Sequence, residues 1–171
     1  MGIGRGEAGS GLFLGPGFAS DLARPGAAPH GINHAPDRPN PMRDVVRLTA
    51  PVPRSREVPA GAAVGYNGTW IAPRPSRIAT LSVGHADGFP RSLSNRATAS
   101  FDGAPVPLVG RVSMDLATFD ATDHPGLRPG DPLESIGPHL PPDAVAARAG
   151  TDAYEVLTPS GRRYRRVYGD G

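Results

Sequence analysis

Short apolar runs, each ended by a glycine, a proline or an Asp-Gly pair, recur along the chain from residue 43 onward. The 23 glycines and 21 prolines make up more than a quarter of the 171 residues. Runs this short are typical of strands, because a helix needs a longer periodic segment to bury its apolar face. The spacing therefore predicts a mainly β fold, either a sandwich or a barrel.

The predicted strands share an apolar or alternating pattern bounded by turn residues. They cover residues 44–52, 63–71, 77–83, 97–101, 105–109, 112–120, 153–158 and 164–168. Asp102 and Gly103 predict a hairpin turn between two of them. One short helix is predicted over 142–150, with Asp143 as its N-cap and Gly150 as its end.

Charge and composition exclude several classes of function. The net charge is +2, and the basic pairs are confined to residues 161–166, so no nucleic-acid partner is expected. The chain contains no cysteine and no histidines at ligand spacing, which predicts no metal site. With no apolar run of about twenty residues and no signal segment, we expect a cytoplasmic protein without a membrane span.

Lysine is absent from the sequence. All 18 basic residues are arginine. Arginine stays protonated, whereas a Schiff base forms on an uncharged amine. No side chain of this sequence can therefore attach covalently to a carbonyl cofactor in that way.

A strand that ends at a displayed side chain is indicated by residues 82–91. The apolar run 78–83 leads into Gly84, His85 and an Asp-Gly pair. Glycine adopts positive φ without strain, so Asp-Gly favours a tight turn. The pattern predicts that His85 lies at the rim of a site, with the run 109–116 as the partner of this strand.

An ordered series of motifs resembles the C-terminal β-domain of alanine racemase, the pyridoxal-phosphate enzyme that interconverts L- and D-alanine. The motifs are distributed over nearly all of residues 43–168. They are Val-Pro-Ala-Gly at 58–61, Gly-Tyr at 65–66, Val-Gly-His-Ala-Asp-Gly-Phe-Pro-Arg at 83–91, Val-Gly-Arg-Val-Ser-Met-Asp at 109–115, Ala-Tyr-Glu-Val-Leu at 153–157 and Arg-Val-Tyr at 166–168. A looser similarity extends upstream over 10–31.

The resemblance implies an alanine-racemase C-terminal-like β-barrel domain over 43–171, preceded by a Pro-rich linker at 34–42. Residues 1–33 would be a remnant, poorly ordered at its start, of the end of a TIM-type α/β barrel. In this family the barrel carries the cofactor lysine, and each active site forms where the barrel of one subunit meets the β-domain of the other. The expectation is a truncated chain that binds no pyridoxal phosphate alone.

The resemblance also assigns roles to individual residues. The family's proton-transfer tyrosine falls on His85, and its substrate-contacting methionine falls on Met114. The family's cofactor contacts fall on Tyr154 for the phosphate, Arg24 for the pyridine nitrogen, and Gly26 and Ala27 for backbone contacts to the phosphate.

Two interpretations of His85 stay open. Imidazole titrates near neutral pH, so His85 can carry a proton. Its side chain is shorter than tyrosine, however, and a misplacement on the order of 1 Å costs about a hundredfold in rate. The shorter reach favours a position that has lost its reaction.

Two functions from different classes follow from the sequence. The first is the C-terminal domain of an alanine racemase that supplies D-alanine for peptidoglycan, inactive alone and dependent on a partner barrel or a homodimer. The alternative is a non-catalytic module that dimerises or docks on a full-length or split racemase barrel.

Overall fold

The computed structural model describes residues 7–9, 17, 21–35 and 37–169. The chain divides into two compact units, Met1–Val46 and Arg47–Gly171. In the first unit, β1 (Glu7–Ala8) and β2 (Leu22–Ala23) pair in parallel. Much of the stretch expected to be a barrel remnant, including residues 1–6 and 10–16, lies outside the described residues.

The second unit consists mainly of short antiparallel strands. They are β3 (Leu48–Pro51), β4 (Arg54–Val58), β5 (Ala63–Val64), β6 (Trp70–Ile71), β7 (Ser76–Leu81), β8 (Thr98–Phe101), β9 (Ala104–Pro107), β10 (Ala117–Asp120) and β11 (Pro132–Ile136). Their sheet orders are β10-β7-β4, β3-β11-β8-β9 and β5-β6. The mainly β class is confirmed, although the described strands form separate sheets rather than one closed barrel.

One part of the core lies on one face of β7 and β10, and a second apolar cluster that includes Val58 and Ile78 lies on the other face. Leu81 pairs with Ala117 and Ala79 pairs with Phe119, and all four side chains are buried. Successive residues of a strand point to opposite faces. Thr80 therefore points away from these four side chains, toward the face on which the candidate site lies.

The hairpin between β8 and β9 is confirmed. Phe101 pairs with Ala104, and the two residues between them, Asp102 and Gly103, have φ of 49° and 83°. Two positive φ values in succession are typical of a type I′ turn, which matches the twist of the strands it joins.

The predicted helix is confirmed as α1 (Pro142–Ala149), and Gly150 ends it with a φ of 75°. The N-cap is Pro141 rather than the predicted Asp143, which lies in the first turn. Proline is favoured at the start of a helix because its missing N–H would be unpaired there in any case. The helix therefore begins two residues earlier than the capping pattern indicated.

The strand predicted over 153–158 is wrong, because this segment forms α2 (Ala153–Leu157). The Asp152 side chain accepts a hydrogen bond from the Glu155 N–H at 3.0 Å, which caps the helix. An acidic residue followed three positions later by glutamate resembles a capping box and was the missed signal. Ala153 and Val156 are buried, as the helical spacing requires.

Other strand predictions need shorter limits or fail. The strand predicted over 44–52 is limited to β3, that over 112–120 to β10, and that over 63–71 is interrupted by a 3₁₀ turn. Residues 164–168 form no strand, whereas β4 and β11 were not predicted.

Within the described part of the chain, no helix has the length and apolar character needed to cross a membrane.

Candidate active site

A short 3₁₀ turn after β7 displays His85. The Gly84 N–H donates to Asp87 Oδ2 at 3.0 Å, and the Asp87 N–H donates back to the Gly84 carbonyl at 3.0 Å. Gly88 ends the turn with a φ of 86°. Val83 before the turn and Asp87 within it are buried, while His85 is exposed. These hydrogen bonds and Gly88 therefore fix the turn, and the His85 imidazole is exposed to solvent, as the sequence predicted.

A second turn, at 113–116, lies directly against the first. The His85 N–H donates to the Ser113 carbonyl at 3.0 Å, and the Ala86 N–H donates to the Met114 carbonyl at 2.9 Å. A Cβ at Gly84 would lie 2.3 Å from the Met114 carbonyl oxygen, so only glycine allows this approach. The expected pairing with the run 109–116 is thus made by two turns rather than by two strands.

Both turns open onto a pocket of about 290 Å³, lined in part by Tyr66, His85, Arg91, Arg111 and Met114. The volume is near the lower end of the range for small-molecule sites, which is roughly 300–1,000 Å³. The lining offers an imidazole that can carry a proton, two guanidinium groups that attract anions, and an exposed thioether. Such a set suits a small substrate that carries a carboxylate.

A groove of about 450 Å³ continues from this pocket across the open face of β4, β7 and β10. Arg54, Arg56 and Arg111 line it together with Thr80 and Thr118. Cross-strand pairing sets Arg54 beside Thr80 and Thr80 beside Thr118, which places the three on one face. The groove therefore combines positive charge with hydroxyl groups, and it extends the anion-attracting surface beyond His85.

A larger cavity of about 800 Å³ lies elsewhere in the second unit and is lined in part by Arg47, Asp87, Arg163 and Tyr164. His85 and Met114 are not among its lining residues. Asp87 and Arg163 pair with each other, and Arg47 pairs with the buried Glu134, so these charges stabilise the fold. We therefore place the candidate active site at the smaller pocket, where the imidazole is free to meet a substrate.

The pKa of Tyr164 is raised from 10.0 to about 12, first by burial and then by the nearby Asp87 carboxylate. Between these two values the unfolded chain loses a proton that the folded chain keeps, so stability falls as the pH rises through this window. We expect the part of the decline in the free energy of unfolding that Tyr164 causes to be absent from Tyr164→Phe. Urea unfolding of both proteins from pH 9 to about 11.5 checks it, and parallel declines would contradict it.

The other residues expected to contact the cofactor lie apart from this pocket or in the first unit. Tyr154 is 41% exposed on α2, and it lines neither the pocket nor the arginine groove. Arg24, Gly26 and Ala27 belong to the first unit, where the Ala27 carbonyl accepts the His30 N–H at 3.0 Å. The second unit by itself therefore brings together His85 and Met114.

Sequence reasoning gave no role to Tyr66, Arg111 or Arg163, although the first two lie in motifs that carried the resemblance. The backbones at Gly65 and Gly110 touch, so that a Cβ at Gly65 would lie 2.9 Å from the Arg111 nitrogen. This contact brings Tyr66 and Arg111 to one pocket. The glycines that precede Tyr66 and Arg111 in the sequence were the feature from which this contact could have been predicted.

Among the described residues, no group of three or more His, Asp and Glu could hold a metal ion.

The fold and the site define a mainly β domain that presents an imidazole at the rim of an open pocket lined by two arginines. The sequence profile of the family described as "Alanine racemase, C-terminal domain" matches residues 45–168. The alanine racemase of Acidiphilium cryptum is 61% identical over 92% of this chain, which spans 44% of that protein's length.

Solved structures give the same result. The crystal structure of alanine racemase from Bartonella henselae with covalently bound pyridoxal phosphate is 44% identical and superimposes with a TM-score of 0.90, covering 96% of this chain and 46% of that one. The biosynthetic alanine racemase from Pseudomonas aeruginosa is 38% identical, also with a TM-score of 0.90, over 95% of this chain and 46% of that one. The chain therefore belongs to the alanine racemase family, of which it carries the C-terminal domain.

The family depends on pyridoxal phosphate, acts on alanine and functions as dimers. Covalent attachment of this cofactor needs a lysine amine, and the sequence contains none. The donors at the pocket are an imidazole, guanidinium groups and a phenol, which cannot replace that amine. The residues of this chain alone therefore do not fit covalent attachment of the cofactor.

Proposed function

We propose that this chain supplies one face of an alanine racemase active site and that a lysine-bearing barrel supplies the other. One observation carries the proposal. His85 and Met114, to which the resemblance assigns proton transfer and substrate contact, line the same pocket, and hydrogen bonds join their two turns. Residues 1–33 then represent the end of a barrel, and 43–171 the β-domain, joined by the linker 34–42.

In this proposal His85 exchanges a proton with the α-carbon of alanine on the face that it approaches. A positioned acid–base group contributes about 10²–10⁴-fold to the rate of such a step. The guanidinium groups of Arg91 and Arg111 attract the substrate carboxylate to the pocket, and Met114 contacts the substrate beside His85. Tyr154 and Arg24, with the backbone of Gly26 and Ala27, would contact pyridoxal phosphate, but only in an assembly that includes the barrel.

The proposal includes a cytoplasmic location, and it includes the use of D-alanine for peptidoglycan, which is taken over from the resemblance. What supports a working site is that the turn around His85 is intact. The cap from Asp87, the positive φ at Gly88 and the close approach at Gly84 are all retained.

Reconstitution tests the proposal. The chain is mixed with the part of the Acidiphilium cryptum relative that precedes the matched region, and D-alanine formation from L-alanine is measured with pyridoxal phosphate present. We expect racemisation by the pair and none by the chain alone. Replacement of the barrel's cofactor lysine by alanine is the control and abolishes the activity. Racemisation by the isolated chain would overturn the requirement for a partner amine.

The non-catalytic docking module stays a second candidate because apolar side chains lie exposed around the site. Tyr66 is 64% exposed, Met114 is 58% exposed and Leu116 is 42% exposed. A cluster of exposed apolar side chains is typical of an interaction surface. Sedimentation of the chain with the same barrel distinguishes the candidates, since a complex that forms but never racemises alanine supports the docking module.

A further inference from the structure

Arg163 connects the two turns that carry His85 and Met114. Its Nη1 lies 2.6 Å from Asp115 Oδ1, and its Nε lies 3.3 Å from Asp87 Oδ1. Asp115 follows Met114 directly, and Asp87 belongs to the 3₁₀ turn that His85 begins. One guanidinium therefore contacts both turns.

Asp87 is the carboxylate that depends most on this contact, because its side chain is only 1% exposed. Oδ2 accepts the Gly84 N–H, whereas Oδ1 is buried and receives no hydrogen bond from the residues that the structure describes. A buried charge without a partner is strongly unfavourable. The ion pair with Arg163 therefore compensates the charge on an oxygen that has little other support.

Arg163 reaches the turns because the chain after α2 packs directly against the turn that carries His85. The Gly161 N–H donates to the Asp87 carbonyl at 3.3 Å. A Cβ at Gly88 would lie 2.4 Å from the Pro159 carbonyl oxygen, so the two backbones touch. This packing fixes the backbone position from which the Arg163 side chain extends. From that position its guanidinium bridges the two carboxylates.

We propose that Arg163 is a positioning residue, which sets the distance between His85 and Met114 by holding their turns together. It acts through Asp87 and Asp115 and lines the larger cavity rather than the pocket that contains His85. Lysine cannot replace it fully, because a single ammonium lacks the planar fork that reaches two carboxylates. The inference rests on the proposed function, since the reaction is what requires the distance.

Hydrogen exchange of backbone amides tests the inference on the full chain without partner or cofactor. In Arg163→Gln the His85 and Ala86 amides, which bond to the 113–116 turn, are expected to exchange about tenfold faster, with amides of β7 and β10 unchanged. Arg163→Lys should fall between Arg163→Gln and the original chain. Arg162→Gln, a change at the exposed neighbour, is the matched control and leaves the rates unchanged.

A milder variant covers the case in which Arg163→Gln fails to fold. Asp115→Asn removes one of the two ion pairs at an exposed carboxylate and should also speed exchange at His85 and Ala86, by a smaller factor. Unchanged rates at these amides in both variants would overturn the inference. So would equal acceleration throughout β7 and β10, which would indicate general destabilisation.

Kinetics of the reconstituted pair then separate this inference from the proposed function. With racemisation established, Arg163→Gln is expected to lower kcat about tenfold while KM changes by less than about twofold, because binding groups stay in place. An active pair whose kcat does not respond contradicts positioning but leaves the proposed function intact. A pair without any activity, combined with faster exchange in Arg163→Gln, contradicts the proposed function alone.

Discussion

Replacement of His85 by tyrosine is expected to raise kcat of the reconstituted chain and barrel by about a hundredfold. The turn that carries residue 85 is well defined, and the resemblance places the family's proton-transfer tyrosine at this position. Imidazole is shorter than a phenol, so the proton it carries falls short of the position that the site is built for. A shortfall on the order of 1 Å accounts for about a hundredfold in rate. Steady-state racemisation in both directions measures the change.

His85→Phe is the matched control, because phenylalanine has the ring size of tyrosine but carries no proton to transfer. It should be as slow as His85→Ala. If His85→Tyr binds the barrel yet racemises alanine no faster than the original chain, imidazole is the group that this site favours. Side-chain length would then not limit the rate at this position.

Substitution of Gly84 by alanine is expected to lower the free energy of unfolding by about 3 kcal/mol, from overpacking and the loss of neighbouring hydrogen bonds. The added Cβ would lie 2.3 Å from the Met114 carbonyl oxygen and 2.5 Å from the Asp115 nitrogen. Both are backbone atoms and cannot rotate away, so the two turns must separate. The hydrogen bonds from His85 and Ala86 to the second turn would weaken, and racemisation by the pair should also be lost.

Gly126→Ala is the control for this substitution, since the nearest atom to its added Cβ is Phe101 Cε1 at 3.9 Å. Its free energy of unfolding should change by less than about 0.5 kcal/mol. Urea denaturation of both variants, followed by circular dichroism, measures the difference. Equal stability of the two variants would contradict the close contact between the turns.

Features fixed by neighbouring residues could be predicted from the sequence. The hairpin at Asp102 and Gly103 follows from two residues that tolerate positive φ. The display of His85 follows from the Asp87-Gly88 pair and from the apolar run that precedes it. The family and its mainly β class could also be predicted, because the motifs occur in order along most of the chain. The catalytic role of His85 stays a prediction.

Features fixed by contacts distant in sequence could not be predicted in the same way. β11 contains the buried Glu134, whose carboxylate pairs with Arg47 at 3.0 Å and accepts the His139 N–H, so its pattern does not look like a buried strand. The segment around Arg163 alternates like a strand, yet it packs against the His85 turn instead. In both cases a charged side chain is held by a partner that the local sequence does not reveal.

Exchange of the α-proton in D₂O tests the central claim most directly, namely that His85 carries the proton on one face of the substrate. The reconstituted pair containing His85→Ala is given each enantiomer of alanine. One enantiomer is expected to incorporate deuterium still, because the barrel's lysine is intact, while racemisation falls by about a hundredfold. Racemisation by His85→Ala at the rate of the original chain would contradict the account.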